Sequence, residues 1–433
     1  MTNRMIPAVR TIAAAAALCC AGLAQAQTAN SVTLYGIADA GITSVSGLKG
    51  GTVTQLSSGI MEGSRWGVKG NEDLGGGYRA IFTLESRVEL DTGANSSRPI
   101  SGSQLSDRFS NAALLGLPAT LQPAVSGVDA ALANEFGVNV GASGNRAFDR
   151  QAFVGLVTPF GGFLAGRQYT PAFETTATYD IMETQSGLAA GQIVAFPAVL
   201  EIRKSNSLAY RFVKDGISGS LMYAAGEVAG DATKGRMLGL NANYKAAMFA
   251  VGFGYNAAYN ELGNKSLTSA VLGASMNFGS SKVSSFVAKI TDDNPNGLSI
   301  ISALLTPSLT VALGSPAAGA GAAALVQSKF IDAFKQDGTL FHIGYRLVTG
   351  PSTISVAYNN YNDNRPANAD VRSYGAAYTY ALSKRTDLNA VLVHYDNSSL
   401  AQVAPGGNGY IGGVTASAGT DSNSLALGIR HRF

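Results

Sequence analysis

The chain has 433 residues, of which 46% are hydrophobic and 14% are charged, and 52 are glycines. Its formal net charge of +3 falls to +1 without Arg4 and Arg10 (29 basic against 28 acidic residues), so no overall field attracts nucleic acid. Such an apolar composition is unusual for a soluble domain. Yet the stretch nearest to a membrane-spanning helix, Ser299 to Val326, is interrupted by prolines, glycines and serines.

The first 26 residues have the pattern of a secretory signal peptide. Two arginines precede an apolar run over residues 12–24, and small residues at 24–26 offer a cleavage site. The apolar run is too short for a spanning helix. Cys19 and Cys20 both lie in this segment, so the exported chain, residues 27–433, would have no disulfide to stabilise it.

Residues 77–91 have the period of a β-strand with two different faces. Phe82 lies on a largely apolar parity, whereas Arg79, Glu85 and Arg87 lie on the other parity. We therefore expect Phe82 to face lipid and the charged side chains to face water held inside the protein.

The same alternation recurs along the chain at strand length. The other predicted strands cover residues 31–43, 58–70, 147–158, 162–169, 205–213, 217–225, 236–245, 247–259, 266–277, 281–291, 339–347, 352–361, 370–381, 388–396 and 422–433. Short turns alternate with long loops. An even number of strands with this turn asymmetry predicts an all-β fold, a 16-stranded antiparallel transmembrane β-barrel. The alternative is a soluble β-sandwich, which would have short turns at both ends.

Five segments are similar to one family of barrels. They read SVTLYGIADAGI at 31–42, GSRWGVKGNEDLGGGYRAIFTLES at 63–86, DRQAFVGL at 149–156, GRQYTP at 166–171 and GIRHRF at 428–433. Together they resemble the general porins of beta-proteobacteria, which are trimeric sixteen-stranded outer-membrane channels. The resemblance reaches both ends of the exported chain. Two long extracellular loop insertions, 93–148 and 292–338, depart from the family pattern.

The resemblance implies a homotrimeric porin in the outer membrane of a Gram-negative bacterium, in contact with lipid and lipopolysaccharide. It implies passive diffusion of ions and small hydrophilic solutes, without a cofactor or metal. The last strand, which ends at Phe433, looks like the C-terminal signal that the barrel-assembly machinery reads during biogenesis. A substrate-selective channel and an adhesin-like barrel remain alternatives. A selective channel would need lumen tyrosines in a row, with Tyr35, Tyr169 and Tyr179 as possible members.

The resemblance also implies a constriction in which the third extracellular loop, residues 170–202, folds into the barrel. Of its acidic residues, Glu174, Asp180 and Glu183 would oppose arginines on the wall and create a transverse field. The arginines predicted for the wall are Arg65, Arg150, Arg203 and Arg211, and the predicted general lumen charges are Arg79, Glu85 and Arg87. Several arginines in the lumen favour a weak preference for anions.

Arg167 shares its parity with Phe163 and Ala165, which places it on the outer face of the predicted barrel. A charge that faces lipid near the midplane costs about 2–4 kcal/mol. We therefore expect Arg167 to meet a partner at a subunit interface.

No pattern in the sequence predicts an enzyme. The three histidines, His342, His394 and His431, do not belong to a nucleophile, phosphate-binding or metal-ligand motif. Residues 291–297 and 359–364 are rich in oxygen ligands but lack the spacing of a calcium-binding loop, so polar loop tips are the favoured interpretation. The apolar segment 298–326 packs either over the mouth of the barrel or against another subunit.

Overall fold

The computed structural model describes residues 30–95, 99–102, 104–135, 146–194, 202–406 and 412–433. The predicted signal peptide, residues 1–26, lies outside these ranges. Within them, seventeen strands form one antiparallel sheet. The strands are β1 Ser31–Leu48, β2 Gly51–Ser58, β3 Arg65–Gly75, β4 Tyr78–Arg87, β5 Gln151–Thr158, β6 Gly161–Tyr169, β7 Arg203–Lys214, β8 Ile217–Ala224, β9 Met237–Lys245, β10 Phe249–Tyr259, β11 Lys265–Phe278, β12 Ser281–Asp292, β13 Gln336–Thr349, β14 Ser352–Asp363, β15 Val371–Ala381, β16 Thr386–Asn397 and β17 Ser422–Arg432.

The sheet closes into a barrel because β1 pairs with β17 on one side and with β2 and β3 on the other. β2 and β3 follow each other along β1 and occupy one position in the wall, so the barrel is 16-stranded, as predicted. The predicted loop after residue 43 is wrong, since β1 continues to Leu48 and β2 pairs back along it. The alternation of apolar and polar residues continues through this Gly/Ser-rich segment, so the ladder does not end there. The break in the wall lies instead at residues 59–64.

The outer face of the barrel is apolar, as the alternation predicts. Leu34 is 63% exposed, Ile42 is 59% exposed and Leu208 is 62% exposed, which suits contact with lipid. On β4, Phe82 lies on this face and its ring covers Gly70 of β3. Glu85 of the same strand is buried on the inner face of the barrel.

Five α-helices lie in the described part of the connections between strands. They are α1 Asp107–Ser110, α2 Gln122–Glu135, α3 Pro171–Tyr179, α4 Ile301–Leu313 and α5 Pro316–Phe334, and 3-10 turns cover Ala119–Leu121 and Ala190–Ile193. α3 and α5 each begin with a proline, which suits the first turn of a helix. None of the described helices has the length and apolar character needed to cross a membrane.

The two long insertions pack against each other at the long-loop end of the barrel. The rings of Phe109 in α1 and Phe334 in α5 lie 4.7 Å apart. Arg108 Nη1 lies 3.3 Å from Asp363 Oδ2 at the end of β14. Burial lowers the pKa of Arg108 to about 10, so its guanidinium remains charged at neutral pH. The insertion 292–338, which contains the apolar segment 298–326, therefore packs through α5 against the other insertion of its own chain.

Inner-face glycines let the chain after β6 fold into the barrel. α3 follows β6 and lies against the inner face of β9 to β12, where small residues alternate with large outward-facing ones. A Cβ atom at Gly273 would lie 2.3 Å from the Tyr179 ring, and one at Gly344 would lie 2.2 Å from Ile181 Cγ2. The recesses that these glycines leave hold residues 170–194 against the wall.

Replacing Gly273 with valine would fill the recess that Tyr179 occupies. Overpacking of this kind costs about 1–3 kcal/mol, which the displacement of α3 from the wall would relieve. We expect limited proteolysis to cut residues 170–194 faster than in the wild-type protein. Gly50→Val is the control, because no atom lies within 4 Å of a Cβ at that turn. Equal cleavage rates in all three proteins would contradict the role of the recess.

Candidate functional site

Four arginines from neighbouring parts of the sheet form what we call the arginine wall, namely Arg65, Arg87, Arg150 and Arg203. Arg65 begins β3, Arg87 ends β4, Arg150 directly precedes β5 and Arg203 begins β7. Arg87 and Arg150 are buried, and a Cβ at Gly63 would lie 4.0 Å from the first and 3.8 Å from the second. Antiparallel pairing brings these strand ends together on the inner face, near the long-loop end.

Glu85 is the carboxylate around which most of this wall is arranged. Arg150 Nε donates to Glu85 Oε1 over 2.7 Å, and the Tyr35 hydroxyl donates to Glu85 Oε2 over 3.1 Å. Arg65 and Arg203 also lie close enough to act on this carboxylate electrostatically. The sequence predicted Glu85 as a general lumen charge, but its position is that of a counter-ion shared by three arginines.

Tyr169 links two members of the wall to the inward-folded chain. Its hydroxyl accepts from Arg150 Nη2 over 2.9 Å and from Arg203 Nη2 over 3.0 Å. The Arg203 guanidinium lies 4.6 Å above the Tyr169 ring, and Phe173 of α3 stacks on that ring at 5.3 Å. Tyr179, the last residue of α3, lies apart and is fully buried against Gly273 of the wall, so the three tyrosines do not form a row.

The three loop acids have partners on the side of the barrel along which the loop runs. Glu174 forms an ion pair with Arg211 of β7. Glu183 Oε1 accepts from Arg346 Nη1 of β13 over 2.9 Å. Asp180 is fully buried, and its carboxylate accepts the backbone N–H groups of residues 182 and 190 over 2.9 and 3.0 Å.

Of the predicted pairs of loop acids and wall arginines, the structure shows Glu174 with Arg211, whereas Glu183 and Asp180 have partners that were not predicted. A buried carboxylate needs hydrogen bonds or an opposite charge nearby, and each loop acid finds them locally. Beside the arginine wall the loop makes a neutral contact, since Gln185 Oε1 accepts the Gly63 N–H over 3.3 Å. At this position the wall presents guanidinium groups near Gly63, and the loop presents a neutral amide.

Four inner-wall residues that hold the loop had no role in the sequence-based site. They bind backbone carbonyl and amide groups of the loop. Arg346 donates to the Ile181 carbonyl, and His342 Nε2 accepts the Ile181 N–H over 2.9 Å. Asn359 Nδ2 donates to the Leu188 carbonyl over 3.0 Å, and the Tyr395 hydroxyl donates to the Gly187 carbonyl over 2.7 Å. Their inward parity was readable from the sequence. Their partners were not, because the path of the loop cannot be derived from strand periodicity.

Of the remaining predicted residues, Arg87 belongs to the wall, whereas Arg79 and Phe433 lie away from it. Arg79 is at the short-turn end of β4, opposite Asp73 in the ladder. Arg87 Nη1 donates to Glu89 Oε1 over 2.8 Å. The Phe433 ring covers Gly36 on the outer surface, and the two residues exchange backbone hydrogen bonds of 3.1 Å.

Arg167 has hydrogen-bond partners within its own chain. Its Nε donates to the Asp149 carbonyl over 2.6 Å, and its Nη1 donates to the Ser205 hydroxyl over 3.0 Å. A neighbouring subunit is not needed to explain this charge, and its place at an interface stays a prediction. In the described ranges, no group of three or more His, Cys, Asp or Glu side chains is arranged to hold a metal ion.

Replacing Arg346 with glutamine would remove the ion pair to Glu183 and weaken the bond to the Ile181 carbonyl. The buried Ile181 carbonyl would lose its charged donor, and leaving a buried acceptor unsatisfied costs about 1–3 kcal/mol of stability. We therefore expect hydrogen–deuterium exchange over residues 180–190 to rise at least severalfold. Arg372→Gln is the matched control, because its pair with Asp396 is exposed and spans 3.6 Å. Unchanged exchange in the Arg346 variant would show that the loop is held without this residue.

Sequence comparison gives the same family over most of the chain. The family described as "Gram-negative porin" matches residues 11–400. An outer membrane porin protein of Bordetella pertussis is 42% identical over 99 residues, which make up 19% of this chain and 25% of that protein. Outer membrane porin protein 32 of Delftia acidovorans is 25% identical over 442 aligned residues, covering 98% of this chain and 99% of the relative.

Solved structures show the same barrel. The anion-selective porin from Comamonas acidovorans has a TM-score of 0.63 at 22% identity, over 93% of this chain and 100% of that one. The trimer form of OmpT from Vibrio cholerae has a TM-score of 0.54 at 13% identity, over 94% and 100%. At these identities the likeness concerns the fold alone. Because the family match covers most of the chain and the closed sheet agrees with it, the chain belongs to the Gram-negative porins, the diffusion channels of the outer membrane.

Proposed function

We propose that this porin is a weakly anion-selective general diffusion channel rather than an enzyme, and that it works as a homotrimer. The charge balance of the arginine wall carries the anion preference. Four guanidinium groups meet the three carboxylates of Glu85, Glu89 and Asp149, and Arg65 also faces Glu62, which is shared with the arginines of β17, so the excess of positive charge is small. A small excess in a water-filled lumen supports a weak preference rather than a strict filter.

Unused hydrogen-bond donors on the same wall support this preference. Arg65 Nη2, Arg87 Nε and Arg203 Nε are buried and have no hydrogen-bond partner among the described residues. These atoms are closed to solvent and do not bind a passing ion directly, but they leave their guanidinium groups incompletely compensated, which adds to the positive potential at the wall. The carboxylates of the wall, by contrast, are already engaged by arginines, a tyrosine and a backbone amide. The wall therefore offers more to an anion than to a cation.

The mechanism that follows is passive. An ion that enters from the long-loop end passes between the arginine wall and the constriction loop. We assign the constriction loop to residues 170–202. The insertions 93–148 and 292–338 form the extracellular rim. Fixed guanidinium groups attract anions, while the neutral Gln185 side adds no opposing charge. Solutes remain hydrated, so size and charge decide their rates. A further expectation is that the assembly machinery reads the strand ending at Phe433 and that lipopolysaccharide contacts the outer face.

The anion preference can be tested at a single contact. Arg150→Gln should lower the ratio of chloride to potassium permeability about twofold, and Glu85→Gln should raise it by about as much, because a unit charge a few ångströms from the ion path is worth about 1 kcal/mol before screening. Reversal potentials in a potassium chloride gradient measure both. Arg79→Gln, at the short-turn end, is the control and should stay near wild type. Shifts of the same sign in the Arg150 and Glu85 variants would contradict the proposal.

The homotrimer rests on the family and on the trimer form reported for the Vibrio cholerae relative. Reconstituted protein should close in three equal current steps, with little saturation by any one solute. Chemical cross-linking in native membranes should give a species of three chains. Single current steps, together with only single chains after cross-linking, would contradict the trimer. Saturable block by one solute would favour a substrate-selective channel.

A further inference from the structure

Asp39 of β1 organises the break in the barrel wall between β2 and β3. Its Oδ1 accepts the Ile60 N–H over 2.9 Å, and its Oδ2 accepts the Met61 and Glu62 N–H groups over 2.9 and 2.7 Å. Three successive amides therefore converge on one fully buried carboxylate. Such a cluster of charge-assisted bonds fixes the backbone of the break.

Ser64 closes the break at its other end. Its hydroxyl donates to the Asp39 carbonyl over 2.8 Å and accepts the Asp39 N–H over 3.0 Å. The Ser58 hydroxyl, at the end of β2, donates to Ser64 Oγ over 3.0 Å. Hydrogen bonds at both ends of residues 59–64 thus lead to one residue of β1, Asp39. These bonds fix the position of the segment between β2 and β3.

The consequence is the position of the Glu62 side chain. Its Oε2 accepts from Arg430 Nη1 over 2.9 Å and from Arg432 Nη2 over 2.8 Å, and its Oε1 lies 4.0 Å from Arg65 Nη2. Arg430 Nε also donates to Asp387 Oδ1 of β16 over 3.0 Å. Arg430 and Arg432 are inward-facing, since they alternate with the exposed Ile429 of β17.

Glu62 therefore balances charge at the edge of the arginine wall. Two carboxylates, Glu62 and Asp387, offset two guanidinium groups of β17, and Glu62 also faces Arg65. Without Glu62, Arg430 and Arg432 would add to the positive excess of the wall. The backbone of residues 59–64 fixes the position of the Glu62 carboxylate. The conformation of this segment therefore sets how strongly the potential of Arg430 and Arg432 acts on passing ions.

We propose that Glu62 is a specificity-determining residue of the pore and that Asp39 and Ser64 are its positioning residues. This inference rests on the proposed diffusion function for its readout. It does not depend on the sign of the wild-type preference, because it concerns the change that each substitution causes. A wild-type channel that prefers cations would contradict the proposed function and leave this comparison intact.

The first experiment is Glu62→Gln in the full-length, reconstituted channel. The chloride-to-potassium permeability ratio from reversal potentials should rise about twofold, since one carboxylate near the ion path is removed. Glu227→Gln is the charge-matched control, because Glu227 lies exposed in the connection between β8 and β9. An unchanged ratio, or a shift toward cations, would overturn the role of Glu62.

The second experiment tests positioning without changing any charge. Ser64→Val removes the hydroxyl and should shift the ratio in the direction of Glu62→Gln but by less, whereas Ser64→Thr, which keeps the hydroxyl, should match wild type. In a Glu62→Gln background, Ser64→Val should have no further effect on the ratio. If Ser64→Val does not give a folded, heat-modifiable barrel, Ser58→Ala provides the same comparison. A folded variant with the wild-type ratio, or an equal shift in both backgrounds, would overturn the positioning role.

Discussion

Each residue of the barrel wall faces either lipid or the lumen, because the wall is a single layer of strand and its side chains alternate. This constraint separates Phe82 from Glu85 on β4 and Ile429 from Arg430 on β17. It also means that every large inward side chain competes for space with whatever folds into the lumen. The small inner-face residues Gly273 and Gly344 therefore determine where the loop can lie.

The second level of organisation is electrostatic. Arginines brought into a narrow, partly dehydrated lumen need partners, and the cost of leaving them unpaired is high. Most of them share a small number of carboxylates, with Glu85 serving three arginines and Glu62 serving another set. The channel therefore keeps its lumen hydrated and charged, while the net excess of positive charge remains small. The weak preference for anions that we propose rests on this near balance.

Strand periodicity predicted the barrel, its sixteen positions and the inward direction of Arg65 and Arg203, whereas Arg150 was predicted from the family resemblance. These features depend on local alternation, which a sequence displays directly. The partners of Glu174 and Glu183 depend on the path of the loop across the lumen, and no period in the sequence describes that path. The break at residues 59–64 was missed because the three amides that bind Asp39 are backbone groups, which leave no trace in residue type.

Crystals grown or soaked in rubidium bromide would locate both ions by anomalous scattering. We expect bromide beside the guanidinium groups of Arg65 and Arg203, the two partly exposed members of the arginine wall, and no rubidium along that wall. Rubidium bound beside Glu85, or bromide spread evenly along the lumen with no preference for the wall, would contradict the assignment of the arginine wall as the selective element of this porin.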